Sequence, residues 1–226
     1  MKTQIESLLR ETKRERIEDL ITFLSDSDFY KAPSSTKFHL AKEGGLVEHT
    51  LNVVQCATML NAQYGNLITT ESVILASICH DLCKVNFYTY DNESPTDSQL
   101  TYLRSLCLKA SIRVPENLTK TYASVCIDHL KSMRKLPLPA YVPSYKVNDQ
   151  LPLGHGEKSL FIASMFITLT EEEALAIRWH MGMSDISVHT SSGMYAYQAA
   201  VKKSKLVTII QLADQEASFL MEAEDA

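Results

Sequence analysis

Residues 69–84 read TTESVILASICHDLCK, and the rest of the chain is best read outward from them. Thr69 or Thr70 can accept a backbone N–H at the start of a helix, and Glu71 suits the positive end of its first turn. The helix body, Val73, Ile74, Leu75, Ala76 and Ile78, is almost wholly apolar, which predicts a helix buried on all sides. The first strongly polar side chains, His80 and Asp81, stand where that helix should leave the core, with Lys84 just beyond. Neighbouring side chains on a helix project about 100° apart, so both His80 and Asp81 can reach one ion only if it sits near the helix end. If the helix continued, Lys84 would lie on the same side as His80 and Asp81. A cation beside a metal suits a phosphoryl group.

The flanks are helical as well. Upstream, Ile5, Leu8, Leu9, Ile17, Leu20, Ile21 and Leu24 recur three and four apart among charges, as one amphipathic helix or a broken pair. Residues 1–35 are therefore expected to form an N-terminal helical extension. Gly44-Gly45 gives a turn into a helix that runs to about Tyr64, where Gly65-Asn66 can cap it. Residues 87–153 are the least regular: an acidic Ser/Thr-containing loop, one or two modest helices, and a segment with Pro137, Pro139, Pro143 and Pro152. This stretch reads as an insertion near the mouth of a site. Residues 141–147 alternate as a short extended piece would, but nearby prolines argue against a central strand. Helical rhythm returns over residues 159–169. The next helix opens on Thr170-Glu171-Glu172-Glu173, a capping-box pattern, and runs to His180. A final helix spans about residues 195–219, with a break near 202–205. The expected fold is all-α, one domain over residues 1–226.

The composition narrows the function. With 226 residues, 45% of them apolar, the chain can bury one sizeable core. A net charge of −5 provides no general cationic field for nucleic acid or anionic lipid, so phosphate-binding charge must be local. Lys202, Lys203 and Lys205 form the one basic cluster, which reads first as a solvated helix end. Five cysteines without a CxxC pair fit reduced thiols, mostly in the core. No apolar run reaches about 18 residues and the N-terminus is too charged for a signal peptide. A cytoplasmic protein that does not enter a membrane is expected.

Most of the seven histidines lie at the ends of predicted helices, and imidazoles with carboxylates are the usual ligands of borderline divalent metals. GGLVEHT (44–50), CHDLCK (79–84) and LADQEAS (212–218) succeed one another in the order histidine, His-Asp, distant aspartate. GHGEKS (154–159) and RWHMG (178–182) add two more histidines between them. This set, spanning roughly residues 38–218, resembles the HD superfamily of metal-dependent phosphohydrolases, and more closely its branch with extra histidines for a second metal. The resemblance implies a compact HD-type helical bundle. It also implies that His49, His80, Asp81 and Asp214 ligate one metal and that Asp81 bridges to a second held by His155 and His180. Some relatives in that branch carry two adjacent histidines where this chain has Trp179-His180-Met181.

The activity implied by the resemblance is hydrolysis of a phosphoester by metal-activated hydroxide. Asp81 would orient the nucleophile, and Lys84 and Lys158 would contact the phosphoryl oxygens. The helix opened by Gly154 and Gly156 would favour an anion. His39, ten residues before His49, is a further candidate substrate contact, although a loop position suits it equally. The alternatives for the others are hydrogen-bonded core positions for His49 and His80, a helix-face salt bridge for Asp214, and an outer or substrate-contacting role for His155 and His180. Fe, Mn, Ni, Zn and Mg are all candidate ions, and histidine-rich ligation favours a transition metal. A nucleotide or short oligonucleotide is the implied substrate, as monoester or diester. Two other functions are compatible with the motifs: a metal- and nucleotide-binding regulatory module, and a subunit of a nucleic-acid-processing complex.

Overall fold

The computed structural model describes residues 1–36, 40–132 and 145–222. Ten α-helices lie among them: α1 (Lys2–Glu11), α2 (Ile17–Asp26), α3 (Gly45–Gln63), α4 (Thr70–Cys79), α5 (Asp97–Lys109), α6 (Lys120–Lys131), α7 (His155–Phe166), α8 (Glu171–Trp179), α9 (Ser191–Lys203) and α10 (Lys205–Glu216). A short antiparallel pair, β1 (Tyr88–Tyr90) and β2 (Tyr145–Val147), aligns Tyr88 with Val147 and Tyr90 with Tyr145. The fold is mostly helical, as expected, and no helix among the described residues is long and apolar enough to cross a membrane.

The apolar run that predicted a buried helix forms α4, in which every residue from Ser72 to Cys79 is buried. Thr69 is the cap, its hydroxyl accepting from the Ser72 N–H. Helices α3, α8 and α10 pack around this region, α10 lying against both α3 and α8. The principal core joins Leu46, Val53, Leu75, Ile78, Ile177, Leu206 and Ile210. The N-terminal periodicity resolves into a broken pair rather than one helix. The chain turns between α1 and α2 with Lys13 and Arg16 at positive φ, and Ile5, Leu9, Leu20 and Leu24 enter the same core.

Glu173 pins this arrangement. Its N–H donates to Thr170 Oγ1 and its carboxylate accepts from the Thr170 N–H, the expected capping box. The fully buried carboxylate also meets Arg14 at 2.5 Å and accepts from the Ser72 hydroxyl at 2.7 Å. One carboxylate thus joins the α1–α2 turn to α4 and α8.

The described residues between 87 and 153 hold more regular structure than their composition suggests. α5 and α6 form a helical hairpin with a small core of Leu103, Cys107, Tyr122, Ala123 and Cys126. Those apolar positions are too few and too interrupted by Ser, Thr and Lys to stand out along the sequence, and only mutual packing makes them a core. The extended piece is Tyr145–Val147; its prolines 137, 139 and 143 lie outside the described residues. β2 has β1 as its partner in a two-stranded sheet, so it is no central strand. Two of the later helix limits also differ from the pattern: α7 begins at His155, four residues ahead of the apolar rhythm, and the last helix starts earlier, at Ser191. The expected break falls at Ser204, which separates α9 from α10 by capping the latter.

Removing the Glu173 carboxylate leaves Ser72 and Arg14 without their partner inside the core. Glu173→Ala is expected to lower unfolding free energy by about 3 kcal/mol, and Thr170→Ala, which removes one cap, by about 1 kcal/mol. Urea denaturation of both variants checks the order.

Candidate functional site

Two helices end in the same way. At the C-terminus of α4, His80 keeps helical backbone angles and its Nδ1 lies 2.7 Å from the Ser77 carbonyl oxygen. At the C-terminus of α8, His180 does the same with the Ile177 carbonyl, also at 2.7 Å. A carbonyl only accepts, so each ring carries a proton on Nδ1 and, when neutral, presents a bare Nε2 forward. The bonds also satisfy carbonyls that the end of a helix leaves unpaired.

Beyond His80 the helix does not continue. Asp81 leaves the helical angles, and the chain tightens into a 3₁₀ turn, Leu82–Lys84. That turn brings the Lys84 ammonium to 2.6 Å from Asp81 Oδ2. The pairing expected from a continued helix is reached by a different backbone path. The Cys83 N–H donates to Ser159 Oγ at 3.1 Å, fastening the turn to α7.

Asp81 is the centre of the group. Its Oδ2 lies 3.5 Å from His49 Nε2 and 3.4 Å from His80 Nε2, whereas its Oδ1 lies 2.8 Å from His155 Nε2 and 3.8 Å from His180 Nε2. The carboxylate therefore faces two different pairs of imidazoles, one with each oxygen. His49 comes from the first turns of α3, and its Nε2 also stands 3.3 Å from Asp214 Oδ1, on α10. His155 opens α7. It can lie beside His180 because Gly156 comes next: a Cβ there would collide with the Arg178 carbonyl oxygen. Gln211, one turn before Asp214, donates to the Trp179 carbonyl at 2.8 Å and holds the end of α8 against α10.

The arrangement asks for a cation. Glu222 accepts from His49 Nδ1, both of its oxygens 3.0 Å away, so His49 Nε2 is bare when the ring is neutral. It then faces the bare His80 Nε2 at 3.3 Å, between two carboxylates. His180 Nε2 is buried with no hydrogen-bond partner. The unpaired buried nitrogen of His180 is costly, as are facing lone pairs whenever His49 is neutral; a proton on His49 relieves only the second, and an ion would resolve both. Two triads have ligand atoms within 4.8 Å of one another, His49-His80-Asp81 and Asp81-His155-His180. Their imidazoles and carboxylates suit a borderline transition metal.

Protonation reflects the same crowding. Burial works against a charged His49, but Asp214 and Glu222 outweigh it and lift the imidazolium to about 9. Burial likewise opposes charge on His155, which Cys83, 3.3 Å from Nε2, and Asp81 raise to about 10. Burial, helped by His155 and His80, pushes His180 down to about 3, keeping it neutral. Burial opposes the Asp81 carboxylate too, yet Lys84 and the imidazoles hold it well below the usual range.

A cleft of about 400 Å³ opens onto these groups. Asp81, Lys84, His155, His180 and Asp214 form its ionic end; Met181, Gln215 and Phe219 also line it. Lys158 is not among the lining residues. It is buried, paired with Asp149 and set 4.6 Å over the Phe87 ring. His39 lies outside the described residues. Arg178 is held by Glu157 and Asp185. All five cysteines are free and buried. Cys79 is in the core, whereas Cys83 touches His155. Sequence reasoning missed Glu222, which no motif marks.

Over 134 residues the chain is 28% identical to the dihydroneopterin 2',3'-cyclic phosphate phosphodiesterase of Methanocaldococcus jannaschii, an alignment covering 53% of this chain and 53% of that protein. The chain thus matches about half the length of this curated relative. No family model matches it, and no solved structure does.

A metal ligand must be neutral at its donor nitrogen, whereas His49 and His155 are held charged in the metal-free protein. At about pH 7.5, uptake of divalent metal is expected to release about two protons per chain, read with a pH indicator in weak buffer. The raised values also set a stability trend. In metal-free protein the pairing of His49 and His155 contributes fully below about 6.5 and fades as the pH rises through about 9 and 10.

Proposed function

We propose that this chain is a metal-dependent phosphohydrolase of the HD type, cleaving a phosphodiester in a small, nucleotide-like substrate. The observation that carries the reading is the division of Asp81, one carboxylate oxygen toward His49 and His80 and the other toward His155 and His180. That division suits two ions sharing one bridging carboxylate. His49, His80, Asp81 and Asp214 would hold the first, and Asp81, His155 and His180 the second. Divalent ions held there supply acidification of water and neutralisation of charge on phosphoryl oxygens.

The chain's own residues have separate tasks. The Nδ1–H bonds of His80 and His180 to backbone carbonyls keep both rings in one tautomer and orientation. Asp81, fixed by Lys84 and four imidazoles, orients the attacking water. Lys84 is only slightly exposed and lines the cleft, so its ammonium can move from Asp81 to a phosphoryl oxygen without leaving the site. Lys158 would contribute to phosphate binding only on release from Asp149.

Support for a diester comes from the relative, a phosphodiesterase of a cyclic phosphate. The cleft volume suits a substrate the size of a mononucleotide. The net charge of −5 argues for a small substrate over a long polymer. A regulatory module is the less economical reading, because the complete ligand set is paired with a lysine placed for phosphoryl contact. A cytoplasmic location agrees with five free thiols.

Metal content, with turnover of bis(p-nitrophenyl) phosphate and p-nitrophenyl phosphate in added manganese, tests the proposal on wild type and Asp81→Ala. Wild type is expected to hold one to two metals and to prefer the diester, and Asp81→Ala to lose at least about 100-fold in kcat/KM. A folded wild-type protein with neither metal nor Asp81-dependent turnover would sink the reading.

A further inference from the structure

Glu222 stands 173 residues from His49 in the sequence and against it in the fold. The chain reaches it through a π-helical turn, Ala217–Met221, closed by the Glu222 N–H donating to the Ala217 carbonyl at 3.0 Å. Wide turns of this kind often occur at functional sites. The turn is anchored at both sides: Ser218 Oγ donates to Asp214 Oδ1 at 3.4 Å, and Cys56 Sγ contacts Met221 Sδ at 3.4 Å. The Glu222 side chain is 1% exposed. Besides His49 Nδ1, its Oε1 takes a hydrogen bond at 2.9 Å from Asn52 Nδ2, one turn along α3. A carboxylate buried this completely needs strong partners, and a histidine beside a cluster of metal-ligand atoms is one of them.

We propose that Glu222 is a positioning residue of the metal site and that the Ala217–Met221 turn belongs to that site. The carboxylate accepts the Nδ1 hydrogen bond of His49, holds the ring with Nε2 toward Asp81 and Asp214, and makes that nitrogen a stronger donor. His80 and His180 are oriented by neutral backbone carbonyls, whereas His49 is oriented by a charged group from a distant segment. The turn is therefore expected to tighten when metal binds, since binding at His49 Nε2 strengthens the bond at Nδ1. The inference rests on reading His49 as a metal ligand.

Cobalt(II) titration of the full chain, followed by visible absorption and chelator competition, separates the possibilities with wild type, Glu222→Gln, Glu222→Ala and Asp81→Ala. Glu222→Ala is expected to weaken cobalt binding by about 10- to 100-fold and to shift the ligand-field band. Glu222→Gln keeps an acceptor without the charge and should fall between Ala and wild type. Circular dichroism of the metal-free proteins establishes that each is folded. If Glu222→Ala does not fold, Glu222→Gln decides alone: weakened binding with a shifted band supports the proposal, and wild-type affinity and spectrum overturn it. Cobalt binding lost in Asp81→Ala but unchanged in both Glu222 variants removes Glu222 from the site while leaving the metal reading intact. No cobalt binding by wild type removes both.

Discussion

The Asp81 carboxylate is the constraint on which the rest of the structure turns. It is 3% exposed, and an unpaired carboxylate in such a place costs on the order of several kcal/mol. Four imidazoles and one ammonium surround it, supplied by α3, the end of α4, the turn after it, the start of α7 and the end of α8. A shift of any one of these segments takes a partner away from the buried charge. The helical frame thus serves one buried anion as much as the anion serves the frame.

Around that centre the fold uses one local device twice. α4 and α8 each end on a histidine bonded back to the carbonyl three residues earlier, and each is followed by a 3₁₀ turn, Leu82–Lys84 and Gly182–Ser184. Positioning a ring this way needs no further side chain and ties its direction to the helix axis. Helix packing then sets the distance between rings. Glu173 on one side and Gln211 on the other fix α8 between its neighbours.

Much of this frame was legible along the chain because its signals are local. The apolar body of α4, its threonine cap, the Thr170–Glu173 box and the glycines around α3 each determine structure within a few residues. The histidine and aspartate cluster around Asp81 was legible only as an ordered set of short motifs, since the sequence alone cannot say that His49 and Asp214 meet. What stayed hidden depends on long-range contact. The hairpin of α5 and α6 has a core only when the two helices face each other. Lys158 reads as a phosphate ligand until Asp149 is seen beside it. Glu222 lies in a stretch with no pattern and acquires a role only through a turn that carries it to α3.

The shared ending of α4 and α8 has an electrostatic consequence. Each helix concentrates partial negative charge at its C-terminus, equivalent to about half an electron, and both end on a histidine of the cluster around Asp81. α7 starts at His155 in that cluster and contributes the opposite polarity. The backbone alone thus favours a cation beside the ends of α4 and α8 and an anion beside the start of α7. That preference needs no side chain to persist.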